Sequence, residues 1–276
     1  MTVYDEAASG HSDEAKIPGD SLAALTDART EEFERAMRAR DKRAYLNAAL
    51  IEAAASAQPG LADPDALSAW QDKVRTTMER APEYAPLPEA EVADLQLFTR
   101  PWPWRRANAT PGHNATVNLD QGESHVGLGI YFSTGAAGGT AEMGGPFRLG
   151  SFSDFEFRTT VDYRYDWYFS AAAGSADSQG WISIIVDELL DGPGQQWHSV
   201  VHRRVQLWSD STGSGGSDGA TEPGNRITVN ERFRGRPDAS YVWWVGGNET
   251  IQTQFQAASQ ANLFVDLHYL VAVARV

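Results

Sequence analysis

The chain has 276 residues, a formal net charge of −14 and no cysteine. The acidic balance argues against a long-range attraction to nucleic acid or to an anionic lipid surface. The lack of cysteine excludes disulfides, thiol nucleophiles and cysteine-based metal sites. Apolar residues make up 42% of the chain, which is enough to form a folded core.

The first part of the sequence is polar and acidic, and residues 1–19 are predicted to form a disordered tail. It has neither the basic start nor the apolar stretch of a secretory signal. No run approaches the roughly 18 apolar residues that a membrane-spanning helix requires. The sequence therefore predicts a cytoplasmic protein, or one assembled into a particle.

Residues 20–82 are predicted to form a helical arm. The segment from Leu22 to Ala57 lacks Pro and Gly and is rich in helix-forming residues. Asp63 and Pro64 suit the start of a second helix, so the arm is expected to be a helical hairpin. We expect its apolar stripes to pack on the rest of the chain, on another copy or on a partner. The predicted interface residues are Phe33, Met37, Ile51, Leu67, Trp70, Val74 and Met78.

The segment 83–104 is rich in proline and is predicted to be a linker between the arm and the rest of the chain. It ends in the sequence Pro101-Trp102-Pro103-Trp104. Large aromatic side chains are rarely left free in water. Trp102 and Trp104 are therefore expected to pack against other side chains and not to be fully exposed to water.

Residues 105–276 are predicted to form a β-sandwich. In the segment 154–169 the odd positions are mostly apolar and the even positions mostly polar, which is the alternation of a half-buried strand. Similar segments follow, separated by Gly- and Ser-rich stretches at 133–145, 170–180 and 209–225 that are expected to be turns. The pattern predicts about nine strands in an antiparallel, jelly-roll-like sandwich. With the arm, the fold class is α+β by segments.

The sequence contains few patterns typical of catalytic chemistry. His198 and His202 lie in a predicted strand, where they would stand about 13 Å apart, too far to bind one metal ion. The even positions of the segment 154–169 mix Asp and Glu with Arg, which is typical of charge pairing on a sheet face. No phosphate-binding loop, dinucleotide fingerprint or nucleophile elbow occurs. We therefore predict no catalytic residues, no metal and no cofactor.

Aromatic residues are the remaining candidates for a binding role. Trp208 and Tyr168 fall on the polar-face positions of their predicted strands. Trp243 and Trp244 are adjacent, so their rings point to opposite faces of a strand. Outward aromatic rings bind sugars, anchor a protein partner or meet the helical arm. The candidate ligand- or partner-binding residues are Trp102, Trp104, Tyr168, Trp208 and Trp243.

Three functions are compatible with this pattern. The favoured hypothesis is a non-enzymatic binding or assembly protein whose arm docks on a protein partner or forms a homo-oligomer. The first alternative is a glycan-binding or glycan-active sandwich. The second is a membrane-active effector or toxin. A fold class does not decide among them.

Overall fold

The computed structural model of the protein describes residues 19–56, 97–148, 153–190, 197–236 and 239–275. The predicted second arm helix and its residues Leu67, Trp70, Val74 and Met78 lie outside these ranges. Ile51 lies in the first helix, beyond the part whose side chains are described.

The described residues contain one helix followed by eleven strands, where the sequence pattern predicts about nine. The elements are α1 (Gly19–Ser56), β1 (Leu97–Thr99), β2 (Trp104–Ala109), β3 (Asn114–Asn118), β4 (Glu123–Ile130), β5 (Gly135–Arg148), β6 (Ser153–Ala171), β7 (Ser175–Leu190), β8 (Trp197–Thr212), β9 (Gly216–Gly235), β10 (Ala239–Gln254) and β11 (Ala257–Arg275). Residues 19–56 are helical throughout, as the run of helix-forming residues from Leu22 predicts.

The strands form two antiparallel sheets packed face to face, as the period-two pattern predicts. One is six-stranded, with the order β3-β4-β11-β6-β9 and the short β1 beside β11. The other is five-stranded, with the order β2-β5-β10-β7-β8. Because β1 pairs with β11, sheet structure begins inside the segment predicted as a linker.

The core lies between the two sheets. The odd positions of β6, including Phe157, Val161, Trp167 and Phe169, face it, as the alternation predicts. Apolar residues of β5, β7 and β10 line the core from the opposite sheet, and β11 extends the face of β6. Burial of this area is the main source of stability.

The three predicted Gly- and Ser-rich turns are much shorter than expected. The segment 133–145 is mostly strand β5, β6 continues to Ala171, and the segment 209–225 belongs largely to β8 and β9. The glycines of β5 do not form turns. They leave room for neighbouring groups to approach the strand closely. An added Cβ at Gly144 would lie 2.5 Å from the backbone oxygen of Trp243, and one at Gly138 would lie 2.5 Å from Met37 Sδ.

Helix α1 packs on the outer face of the five-stranded sheet. Leu25 joins an apolar cluster with Ile185, Val242 and Trp244. Farther along the helix, Asp41 Oδ1 accepts a hydrogen bond of 3.0 Å from the backbone N–H of Ala136. The sequence allows the arm to pack on the rest of the chain, on another copy or on a partner. The structure shows the first of these contacts, between α1 and the sandwich.

Candidate functional site

A cleft of about 330 Å³ lies between α1 and the outer face of the five-stranded sheet. One wall is α1, from Arg29 to Arg40, and the floor is formed by outward-facing side chains of β2, β5, β7 and β10. The exposed residues His202 and Arg204 of β8 lie at its open side. This volume is near the lower end of the range for small-molecule sites.

The cleft floor contains a buried polar network centred on Glu142. Arg106 forms an ion pair with this carboxylate through Nη2. Ser183 Oγ donates a hydrogen bond of 2.5 Å to Glu142 Oε1, and Asn248 Nδ2 donates one of 2.7 Å to Ser183 Oγ. These neighbours fix the carboxylate in one orientation and fasten β2, β5, β7 and β10 together at this point.

The network keeps Glu142 ionised. Burial acts to raise the pKa of this carboxyl, but the Arg106 charge and the hydrogen bonds from Ser183, Arg106 and Asn248 outweigh it and lower the pKa below its ordinary value. An ionised carboxylate accepts hydrogen bonds and does not supply a proton. Glu142 is therefore a hydrogen-bond acceptor in this network and not a general acid.

Several polar atoms of the floor have no hydrogen-bond partner among the described residues. They are Nε and Nη1 of Arg106 and the hydroxyl oxygens of Thr140 and Thr250, all of which are buried. A buried polar group without a partner is unfavourable by about 1–3 kcal/mol. Such a floor favours a polar occupant over an apolar one.

The half-buried Trp181 provides an aromatic surface on the sheet side of the cleft. The guanidinium of Arg204 lies over its ring, 5.3 Å from the centroid. Close by, partial desolvation and the nearby Arg204 and Arg29 charges lower the pKa of His202 below its ordinary value. An aromatic ring beside several hydrogen-bonding groups is the usual composition of a site for a small polar ligand.

The five aromatic residues predicted from the sequence are not brought together. Trp102 and Trp243 are fully buried and pack against each other with ring centroids 5.2 Å apart. Trp104 packs on Trp244 beneath α1. Tyr168 packs beside Phe132 and Ala258, in a cluster separate from these tryptophans.

The prediction that Trp208 lies on a polar face of its strand is wrong. Its ring is buried, packs 4.6 Å from Tyr165, and donates a hydrogen bond of 2.9 Å from Nε1 to Ser178 Oγ. A bulge in β8 opposite Gly180 and Trp181 inserts one extra residue, which reverses the facing of Trp208. Gly180 lies opposite Trp208, where a larger side chain would overlap its ring.

Of the predicted interface residues with described side chains, Phe33 and Met37 both line the cleft. The polar residues of the floor were not predicted. Glu142 lies in a segment interpreted as a turn, although Ala137, Ala141, Met143 and Phe147 around it have the period-two spacing of a strand. That spacing indicates a strand, and it is the feature of the sequence that could have placed Glu142 in a sheet.

The predicted charge pairing on β6 is present, but the carboxylates are less exposed than a wet sheet face implies. Glu156 and Asp162 are both buried. Arg226 contacts Asp162 through two hydrogen bonds of 2.5 and 2.9 Å, and His268 Nε2 lies 2.6 Å from Asp162 Oδ2. These contacts hold β6, β9 and β11 together.

No three His, Asp or Glu side chains in the described ranges are grouped as they would be around a metal ion. None of the helical residues described forms a stretch long and apolar enough to cross a lipid bilayer.

No protein-family model and no curated protein matches the sequence. Among solved structures, the chain is similar to a family 16 carbohydrate-binding module at 16% identity and a TM-score of 0.22, covering 55% of this chain and 86% of that one. It is also similar to a CBM4 structure at 14% identity and a TM-score of 0.22, covering 60% and 94%. A third similarity is to the enzymatically active domain of tailspike protein 4 of bacteriophage CBA120, at 10% identity and a TM-score of 0.20, covering 59% and 19%. TM-scores this low support no inference, and the antiparallel sandwich rests on the strand pairing described above.

Proposed function

We propose that this chain is a carbohydrate-binding protein whose ligand occupies the cleft between α1 and the five-stranded sheet. The observation that carries the proposal is the composition of the cleft. A half-buried Trp181 lines the same cleft as Arg106, Thr140 and Thr250, each of which has at least one buried polar atom without a hydrogen-bond partner among the described residues. A sugar has an apolar ring face and a rim of hydroxyl groups, and it complements both features.

The groups at the accessible part of the cleft are suited to hydroxyl recognition. Asn108, Gln179 and Asn248 are each half-buried and line the cleft. Amide side chains both donate and accept hydrogen bonds, as hydroxyl groups do. Glu142 is buried beneath these groups, and its hydrogen bonds with Ser183 and Asn248 hold the Asn248 amide in place.

Replacing Trp181 with alanine is expected to weaken saccharide binding about tenfold, because the variant loses the aromatic surface of the cleft. Calorimetric titration of the full chain with a panel of gluco-, xylo-, galacto- and manno-oligosaccharides measures this effect. The matched control is Phe264→Ala, which removes an aromatic ring stacked on His125 on the other sheet and outside the cleft. Thermal unfolding checks that both variants are folded.

The proposal is rejected if the wild-type chain binds none of these saccharides at millimolar concentration. It is also rejected if Trp181→Ala and Phe264→Ala weaken binding equally, because binding would then not depend on the cleft.

A second candidate function is assembly through α1, and one observation favours it. Tyr45 and Leu46 are large apolar side chains of α1 with 57% and 59% of their surface exposed. We propose a second copy of the chain as their partner, since homo-oligomers are the commonest assemblies. Light scattering at micromolar concentration is expected to show an oligomer for the wild type and a monomer for Tyr45→Ser with Leu46→Ser. A monomeric wild type would exclude this candidate.

A further inference from the structure

Helix α1 covers part of the outer face of the five-stranded sheet. The central strands of the five-stranded sheet have 14 to 16 residues, which corresponds to about 50 Å of strand. The part of α1 that forms the cleft wall, Arg29 to Arg40, is only about 16 Å long at 1.5 Å per residue. The cleft is therefore a short compartment on a long sheet face.

Ion pairs fasten α1 to the sheet near both ends of this compartment. Arg29 Nη2 lies 2.6 Å from Asp187 Oδ1, and Asp187 also accepts a hydrogen bond from Ser199. Arg40 pairs with Asp177. Asp187 is fully buried, and Arg29, Arg40 and Asp177 are each at most a quarter exposed, so these pairs are less screened by solvent than pairs on an open surface.

Between the two ion pairs, the helix is in direct contact with the sheet. An added Cβ at Gly138 would lie 2.5 Å from Met37 Sδ and 3.3 Å from the ring of Phe33. No space for a ligand therefore exists between α1 and β5 at this position. A chain of sugars cannot run under the helix beside Gly138 without displacing Met37 and Phe33.

We infer that α1 restricts the ligand of the cleft to short oligosaccharides or the ends of longer ones, and excludes the interior of a polysaccharide. The Arg29–Asp187 and Arg40–Asp177 pairs are the determinants of this length specificity. The inference rests on the proposed carbohydrate-binding function of the same cleft.

The experiment measures the affinity of the full chain for a series of one to six units of the sugar that binds best, and for the corresponding polysaccharide. For the wild type, affinity is expected to stop rising after about two units. When the polysaccharide concentration is expressed as the concentration of its chain ends, its affinity is expected to be no higher than that of the short ligand. The variant Arg29→Ala with Arg40→Ala is expected to bind six units at least tenfold more tightly than two. The matched control Arg38→Ala removes an exposed arginine that pairs with Glu34 within α1, and it is expected to behave as the wild type.

Hydrogen exchange of the α1 amides provides a measurement that does not depend on the double variant being stable. A two-unit ligand is expected to increase protection of residues 29–40 in the wild type, because the helix forms the cleft wall. Decreased protection on binding would show that the helix is displaced, and would overturn the inference.

The outcomes separate this inference from the function on which it rests. If no saccharide binds at any length, the carbohydrate-binding function itself fails. If saccharides bind in a Trp181-dependent manner but wild-type affinity rises steadily up to six units, the function stands and the length restriction is wrong. A folded double variant with wild-type length dependence would also overturn the role of the two ion pairs.

Discussion

At the scale of single residues, Glu249 is the most unusual group in the core. Its side chain is buried, and neither carboxyl oxygen has a hydrogen-bond partner among the described residues. Burial, with a smaller contribution from the charge of Asp166, raises the pKa of Glu249 well above its ordinary value. The folded protein therefore keeps this carboxyl protonated at pH values where the unfolded chain has lost the proton.

This difference predicts a pH-dependent stability. The folded state binds more protons than the unfolded state, so the free energy of unfolding decreases as pH rises above the unfolded pKa of about 4.3, by at most about 1.4 kcal/mol per pH unit. Glu249→Gln keeps the shape and removes the titration, so the variant is expected to be more stable than the wild type at pH 7. The advantage should vanish near pH 4. Urea unfolding from pH 4 to 8 measures this, and parallel curves for the two proteins would contradict it.

At the scale of elements, the close packing of α1 on the five-stranded sheet depends on a glycine. Gly138 of β5 lies directly under Met37, where any Cβ would force the helix side chains to move. A helix and a sheet pack closely only where small residues allow it, so the sequence of β5 is adapted to its partner in α1.

Gly138→Ala is expected to lower the free energy of unfolding by about 1–3 kcal/mol, because the added methyl group overpacks the contact with Met37 and Phe33. Adding Met37→Ala to this variant should recover part of the loss. The control is Gly213→Ala, since a Cβ at Gly213 meets nothing within 4 Å. Equilibrium unfolding of the four proteins tests the prediction, and equal effects at positions 138 and 213 would refute it.

At the scale of the whole molecule, one buried carboxyl group lowers stability as pH falls below about 4, and another lowers it as pH rises above about 4. In the six-stranded sheet, burial acts to raise the pKa of Asp162, but hydrogen bonds from Arg226 and His268 outweigh it and lower the pKa. A lowered pKa stabilises the folded state above the unfolded value of about 3.9, and this stabilisation is lost as pH falls further. Asp162 therefore acts on the acid side, whereas Glu249 acts at higher pH.

Asp162→Asn is expected to be less stable than the wild type at pH 7, because it leaves the partially buried Arg226 without its ionised partner. The difference should shrink as pH falls below about 4, because Asp162 becomes protonated first in the unfolded chain and, at lower pH, in the folded protein. Denaturant unfolding across this range, with Arg38→Ala as a surface-charge control, is the measurement. A difference that is constant with pH would mean that the charge of Asp162 has no part in stability.

The sequence by itself determined the local structure. The run of helix formers from Leu22 to Ala57 and the period-two alternation of β6 and β11 are local properties, and they predict the helix and the antiparallel sandwich. They also indicate that one face of each strand is apolar. The strand boundaries in the Gly-rich segments were wrong, because glycine serves both turns and close packing, and the two uses look alike in sequence.

Only the tertiary structure decided which surfaces are covered and where a ligand fits. Alternation assigns a residue to a face of its sheet, but exposure of that face depends on what packs on it, and α1 covers part of one. The bulge in β8 reversed the facing of Trp208, which no periodicity reveals. The cleft joins Arg106, Glu142, Trp181 and Asn248 from four strands, and their meeting depends on long-range strand pairing that a single sequence does not specify.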